Sequence, residues 1–351
     1  MGAERRVRVM LCSAGRRVYL VRWFREAFAT LGLDGDVVVL DADPSCATGR
    51  FADHFRIVPR FTDPAYADAL AAVVADLRPD LVLSLNDYEL EMLAGGLADR
   101  LRRTGAAVLS LDAAGQALAG DKWALACAVP PEYRTPTVLA SDRAGVAALV
   151  ARHERVVVKH RLGSGSSGLA VVPGTAVHAA VERSAATAPR PGGAAPGPAE
   201  DWVVVQQHVD GTEYGVDAVF SVHGSPTGTP SGVSARRKLR MRSGETDQAV
   251  TVDPAPFAGV AAAVGRLVSP RGIVDLDVLV DASGRQHLID VNPRFGGGYP
   301  FSHLAGVDVP AYLVAEVTGA RDPAAHLEGR VGVTASKYEE VTLARVEERV
   351  P

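Results

Sequence analysis

His287-Leu288-Ile289-Asp290-Val291-Asn292-Pro293-Arg294 alternates apolar side chains with oxygen-bearing ones before it closes on Pro-Arg. Alternation is the signature of a strand whose two faces see different surroundings, so Asp290 and Asn292 share one face while Ile289 and Val291 share the other. A turn at residues 281 to 284 separates this run from a second strand-like run, residues 272 to 280, which carries Asp277. Folded back as a hairpin, Asp277 faces Asp290 and Asn292. Two carboxylates and an amide oxygen form a hard, all-oxygen set suited to magnesium with phosphate as the remaining ligand. Arg294, two residues on, is placed to neutralise charge building on a transferring phosphoryl group. A solvated acidic turn would not need the apolar residues interleaved with the ligand-type ones.

Working outward, the N-terminal third has a different rhythm. Apolar runs at residues 7 to 12, 37 to 40, 55 to 58, 81 to 85 and 106 to 111 read as buried strands. Between them Val18, Val21, Phe24, Phe28 and Leu31 recur at helical spacing, as do Tyr66, Leu70, Val73, Val74 and Leu77, and then Leu90, Leu93, Leu97 and Leu101. Short apolar strands alternating with amphipathic helices imply a parallel sheet covered on both faces, a Rossmann-like unit over residues 1 to 112. Its first turn, Ser13-Ala14-Gly15-Arg16-Arg17, leaves a strand and opens a helix. Helix N-termini and arginines favour an anion such as a substrate carboxylate. A structural turn, or a dinucleotide site with Asp41 on the ribose, are the other readings, although the turn is not GxGxxG.

The middle of the chain reads as strands and loops. Residues 156 to 159 end in Lys159, and the loop Arg161-Leu162-Gly163-Ser164-Gly165-Ser166-Ser167-Gly168 leads into residues 169 to 172. Glycines in a hairpin loop let backbone N–H groups approach phosphate oxygens, and serines add donors. Strands follow at residues 203 to 207 and 214 to 220. Residues 185 to 200, rich in Ala, Pro and Gly, read as a connection.

Bulk composition narrows the function. At 351 residues the chain is long enough for two or three packed units, and 47 % hydrophobic against 22 % charged residues is ordinary globular usage. The formal net charge of −4 lacks the basic excess of a nucleic-acid binder. Cys12, Cys46 and Cys127 form no CxxC pair, which argues against zinc and disulfides. No run of about 18 apolar residues exists to span a membrane. The N-terminus does not read as a signal peptide, so a cytoplasmic location is expected. No Walker A loop, HExxH helix or GxSxG elbow is present.

Taken in order, the motifs resemble the ATP-grasp superfamily, on the branch of carbamoyl-phosphate-synthase large-chain-like and biotin-carboxylase-like ligases. The resemblance covers roughly residues 7 to 320. It rests on Ser13-Ala14-Gly15-Arg16-Arg17, Asn86-Asp87-Tyr88-Glu89-Leu90, Gly120-Asp121-Lys122, Val157-Val158-Lys159 with its glycine loop, Gln206-Gln207-His208-Val209-Asp210-Gly211-Thr212-Glu213-Tyr214, Asp277, and Asp290-Val291-Asn292-Pro293-Arg294.

The implied fold is α/β and α+β. A Rossmann-like pre-ATP-grasp domain at 1–112 precedes the two-lobed ATP-grasp fold, with a small lobe at 113–205 and a large lobe at 206–351. Lys122 and Lys159 resemble the lysines on ATP phosphates, and Gly163, Ser164, Gly165, Ser166, Ser167 and Gly168 resemble the lid. Gln206, Gln207 and Val209 match the adenine-reading hinge, and Glu213 the ribose ligand. Asp277, Asp290 and Asn292 match magnesium ligands, and Arg294 the arginine near an acyl phosphate. Asp at 277 and 290, where Glu is common in the family, must bring its strand closer to the metal or reach it differently. The same resemblance implies ATP, one or two Mg2+ ions for which Mn2+ can substitute, small-molecule carboxylate and nucleophile substrates, and a homodimer as an admissible assembly. Substrate contacts are expected from Arg16, Arg17, Glu89, Arg240 and Gly297. The rival readings are a nicotinamide-dependent oxidoreductase built on the first third and a non-catalytic ATP-binding regulator.

Overall fold

Three sheets organise the chain, as seen in a computed structural model that describes residues 6–163, 168–190, 197–242 and 244–343. The first comprises β1 (Val7–Cys12), β2 (Gly35–Asp41), β3 (His54–Ile57), β4 (Leu81–Ser84) and β5 (Ala107–Leu109), in the order β3-β2-β1-β4-β5. All its pairings are parallel. The continuous apolar run of β1 makes sense in a sheet covered on both faces. Val9 and Leu11 enter one core, while Met10 and Cys12 enter the other. The strand order reverses at β1, so the turns after β1 and β4 meet at a topological switch point, where open α/β sheets bind ligands.

The second sheet comprises β6 (Thr137–Leu139), β7 (Arg155–His160), β8 (Ala170–Pro173) and β9 (Val203–Gln207), in the antiparallel order β6-β9-β7-β8. Helices Arg143–Arg152 and Val177–Thr187 supply Leu149, Ala180 and Val181 to its core.

The third and largest sheet comprises β10 (Gly211–Phe220), β11 (Gly232–Arg242), β12 (Glu245–Val252), β13 (Gly272–Asp281), β14 (Gln286–Asn292) and β15 (Thr334–Ser336), in the order β14-β13-β10-β11-β12-β15. One face is apolar: Val216, Ala218, Ala235, Val274, Leu276, Val278, Leu288 and Val291 pack against helix Ala258–Val268. The β13–β14 turn is held by one side chain, Asp281, whose Oδ1 accepts from the Ser283 N–H at 2.9 Å and the Arg285 N–H at 3.1 Å.

Two packing facts cut across simple lobes. Leu125 and Val129, in and just beyond helix Lys122–Ala128, share the core of the large sheet, not of the four-stranded one. Tyr299, Val309, Tyr312 and Leu313, from helices Tyr299–Leu304 and Val309–Thr318, join Leu20, Val21, Phe24 and Phe28 of helix Val18–Thr30 in the core of the first sheet. The C-terminal helices thus lock the first sheet to the third.

Candidate nucleotide and acyl-transfer site

The second face of the large sheet carries the charge. Along β10 the inward residues are Glu213, Gly215 and Asp217; along β13 they are Asp275, Asp277 and Leu279. β14 continues the face: Asp290 lies opposite Asp277, and Asn292 opposite Asp275. Asp277, Asp290 and Asn292 are therefore brought together on adjacent strands.

A bulge refines this picture. Asp277 pairs with Asp290 but Val278 pairs with Leu288, so Ile289 is an extra residue on β14. A bulge re-aims side chains locally. Leu288 and Val291 face the apolar core, whereas Ile289 lines the cleft together with Asp290. The expectation that Ile289 and Val291 share a face is corrected on this ground.

The cleft, about 600 Å³, lies between the four-stranded sheet and the large sheet. Gln206 and Gln207 at the end of β9 and the connection His208-Val209-Asp210 form its hinge side. Leu279 and Ile289 on one wall and Val157, Leu169 and Val171 on the other make an apolar slot. Glu213 also lines the cleft, opposite Leu279.

Two lysines approach Asp290 from opposite elements. Lys122 Nζ lies 3.8 Å from Asp290 Oδ1 and donates to the Gly163 carbonyl at 2.6 Å. Lys159 is buried and donates to Gln206 Oε1 at 3.0 Å. Burial lowers the Lys159 pKa to about 8, aided by Lys122 and opposed by Asp290 and Asp277. Gly163 and Gly168 frame the glycine loop at φ +105° and +67°, backbone that side chains rarely adopt. Ser164, Gly165, Ser166 and Ser167 lie outside the described residues.

Lys238 carried no role of its own in the sequence reading. Its Nζ lies 2.6 Å from Glu213 Oε1 and 2.6 Å from Asp277 Oδ1, joining carboxylates of two adjacent strands. Two residues before it on the same strand, Arg236 is wholly buried between Asp217 and Asp275, at 2.6 Å from each. In the sequence Arg236 and Lys238 belong to the basic run Arg236-Arg237-Lys238-Leu239-Arg240, a candidate for substrate contact or a solvated strand face; their spacing of two, read as a strand, was the signal that could have separated them from Arg237 and Leu239.

Arg294 grips Asp87, with Nε to Oδ1 at 2.6 Å and one terminal nitrogen to Oδ2 at 2.9 Å. Asp87 opens helix Asp87–Met92, whose N-cap Asn86 accepts from the Tyr88 N–H at 2.9 Å. The switch point of the first sheet is thereby tied to the end of β14.

The expected substrate contacts disperse. Arg16 is exposed. Arg17 donates to the Phe295 carbonyl at 3.2 Å, next to the Gly296-Gly297-Gly298 bend. Gly297 packs loosely there, whereas a Cβ on Gly296 or Gly298 would overlap Asp275 or Arg236. Arg240 bonds Asp247 at 2.6 Å. Glu89, 1 % exposed, does not reach the cleft surface but hydrogen-bonds Ser84 beneath the 13–17 turn. Burial pushes its pKa up to about 8, against a hydrogen bond from Ser13. Asp41, the acidic group a dinucleotide site would turn to a ribose, instead accepts from the Gly15 N–H at 3.1 Å and the Asp43 N–H at 3.0 Å. The oxidoreductase reading loses its support there.

Known proteins carry the same design. Residues 9–109 match a family model described as the PylC-like N-terminal domain, and residues 199–341 one described as ATP-grasp in the biosynthetic pathway with Ter operon. The biotin carboxylase domain of Hydrogenobacter thermophilus 2-oxoglutarate carboxylase, solved with MgADP, ADP and bicarbonate, superposes with a TM-score of 0.67 at 13 % identity, covering 93 % of this chain and 73 % of that one. N5-carboxyaminoimidazole synthetase from Staphylococcus aureus, complexed with ADP, gives 0.64 at 12 % identity over 89 % and 77 % of the two chains. An L-amino acid ligase from Bacillus licheniformis gives 0.63 at 16 % identity over 93 % and 78 %. No curated protein matches the sequence.

A parallel sheet followed by two antiparallel ones, with the charged cleft between the latter, is the ATP-grasp architecture. The chain has that fold, and its residues 199–341 match an ATP-grasp family model.

Proposed function

We propose that the protein is an ATP-dependent ligase that activates a small-molecule carboxylate as an acyl phosphate and passes the acyl group to an amine. The observation that carries this reading is the facing of Asp277 and Asp290 across β13 and β14, with Asn292 beside them and Lys122 and Lys159 above. A binding-only regulator would not need Arg294 at the end of the same strand.

ATP fits the cleft in parts. The apolar slot of Leu279, Ile289 and Val171 suits the base, with the backbone of Gln206, Gln207 and Val209 reading its edge. Glu213 suits the ribose. Lys122, Lys159 and the loop bounded by Gly163 and Gly168 suit the phosphates. Asp277, Asp290 and Asn292 would hold Mg2+, since that ion binds through one or two carboxylates together with substrate phosphates rather than in an all-protein cage. Magnesium would supply neutralisation of the phosphate charge.

In the first step a carboxylate oxygen of the substrate attacks the γ-phosphorus, the bond to the β-phosphate oxygen breaks, and ADP leaves. In the second an amine nitrogen attacks the acyl carbon, the bond to the phosphate oxygen breaks, and phosphate leaves while the nitrogen gives up a proton. The chain's part is to position the reactants and oppose negative charge: Lys122 and Lys159 at the phosphates, Arg294 at the acyl phosphate. Arg16, Arg17, Arg240 and Gly297 would contact the substrate, and Glu89 would act from below by holding the 13–17 turn. Among the described residues no helix is long and apolar enough to cross a membrane. The homodimer and the cytoplasmic location belong to this proposal as well.

Product analysis tests the reading. With amino acids and small amines supplied as substrates, turnover should release ADP and phosphate one for one. Stoichiometric AMP and pyrophosphate would refute it, and nucleotide binding without turnover on any substrate would favour the regulator.

A further inference from the structure

A second cluster of charge lies where the C-terminal segment crosses from the large sheet to the first. β15 pairs with β12 through Ala335 and Ala249, and the Lys337 N–H then donates to the Asp247 carbonyl at 2.8 Å. This register sets Lys337 Nζ 2.8 Å from Glu245 Oε2. Just beyond, Glu340 meets Arg22 of helix Val18–Thr30 at 3.3 Å. The floor is the 296–298 bend: a side chain on Gly297 would begin 3.5 Å from the Glu245 carboxylate and 3.6 Å from Lys337 Nζ. Arg17 closes the third side through its bond to the Phe295 carbonyl at 3.2 Å. The same nitrogen also donates to the Leu85 carbonyl at 3.5 Å, and both acceptors are uncharged.

The charges at this junction do not balance. Arg294 and Arg240 have their own carboxylates, Asp87 and Asp247. Arg16, Arg17 and Lys337 share Glu245, and Arg17 also feels Asp87, which Arg294 already grips. Lys337 first, with Arg17 and Arg16 behind it, holds the Glu245 carboxyl below its ordinary range despite partial burial. Of the described residues, none of these four lines the nucleotide cleft. Three cations around one half-exposed carboxylate, beside the path to Arg294, form an anion site with an internal competitor.

We propose that this junction is a subsite for a second, non-reacting carboxylate of the acyl substrate, held by Arg16, Arg17 and Lys337, and that Glu245 competes for it. The substrate class is then a dicarboxylic acid or an acid bearing an equivalent distal anion. This rests on the ligase reading above, because it takes Arg294 and the magnesium carboxylates to mark the reacting end.

Calorimetric titration of the full chain, saturated with MgADP, tests the subsite. The probes are α,ω-dicarboxylates from malonate to adipate, each beside its monoamide. At least one diacid should bind about tenfold tighter than its monoamide, the worth of a charge-assisted hydrogen bond. Lys337→Met should weaken that diacid by about tenfold, whereas Glu245→Gln should tighten it. A merely structural ion pair predicts that both variants shift in the same direction or not at all. Diacids that bind no tighter than their monoamides, or a Glu245→Gln variant that fails to gain affinity, would overturn the proposal. MgADP binding, measured on the same samples, separates the two readings: its loss in the wild type defeats the nucleotide site, while its retention leaves the diacids to decide the subsite.

Discussion

Arg294 and Asp87, 207 positions apart, meet in a two-pronged ion pair that joins the end of β14 to the switch point of the first sheet. The planar guanidinium is fixed by two parallel bonds, so its orientation is set before any reaction begins. Burial opposes the charge of Arg294, but the Asp87 hydrogen bond and charge more than offset it.

Arg294→Lys should therefore be far from conservative, because an ammonium cannot reproduce the fork. Turnover should fall by about 10²–10³, the usual loss for a preorganised transition-state contact. Asp87→Asn, which leaves the arginine in place but frees it to reorient, should lower kcat less and leave the KM for ATP near its original value. Steady-state ADP release at varied ATP checks both. An Arg294→Lys enzyme with unaltered kcat would remove Arg294 from the chemistry.

The buried triad Asp217–Arg236–Asp275 is the clearest stability prediction. Removing one partner of a buried ion pair strands the others, at a cost of about 3–5 kcal/mol. Arg236→Met should cost that much in urea unfolding, since it leaves two carboxylates with almost no access to water. Gly298→Ala should push in the same direction because its Cβ would overlap the Arg236 guanidinium. A denaturation midpoint equal to wild type for Arg236→Met would show that the carboxylates find other partners.

Lys159 predicts a pH dependence of nucleotide binding. Its pKa near 8 lies below that of an ordinary lysine, because burial disfavours the ammonium. The unfolded chain holds this proton between about pH 8 and 10.4 while the folded apo protein releases it, so its contribution to stability rises across that window. Phosphate binding runs the other way, since it needs the charged form. ADP affinity should fall as pH rises through 8, and Lys159→Met should bind weakly with a flatter profile. Calorimetric titrations from pH 7 to 9.5 decide it; identical slopes for the two proteins would contradict the assignment.

Glu89 carries the opposite sign. Its carboxyl, raised to about 8 by burial, keeps its proton when folded at pH values where the unfolded chain has lost it. Stability should therefore decline between about pH 4.3 and 8, and Glu89→Gln should remove that slope. Melting temperatures over this range are the check, and an unchanged slope in the variant would place the effect elsewhere.

Much of the fold is legible in the residues alone. The first sheet announces itself because parallel strands buried on both faces must be apolar throughout, as in residues 7 to 12 and 37 to 40. Asp290 and Asn292 were legible because strand alternation is strictly local. Ile289 was not, because the bulge opposite residues 277 and 278 shifts the phase by one, and nothing in a single strand reveals its partner's register. Lys238 was hidden for the same reason: its meaning comes from Glu213 and Asp277 on other strands. The return of residues 299 to 318 to the first sheet was equally silent, since an amphipathic helix advertises that it buries a face but not against what.

The ligase reading depends above all on Asp290 helping to hold magnesium against the phosphates of a bound nucleotide. The structure also sets the expected side effect of Asp290→Asn. Lys122 lies 3.8 Å from Asp290, and the nearby Lys159 feels its charge, so the substitution relieves no net repulsion and stability should stay level or drop slightly. The direct measurement is calorimetric titration of ADP into wild type and Asp290→Asn, with and without magnesium, alongside melting temperatures. Wild type should gain affinity when magnesium is present. The variant should lose that gain by at least about 10–100-fold, a loss typical even of an outer-shell partner, while it still melts near the wild-type temperature. An Asp290→Asn protein that binds MgADP as wild type does would contradict the metal site and, with it, the ligase reading.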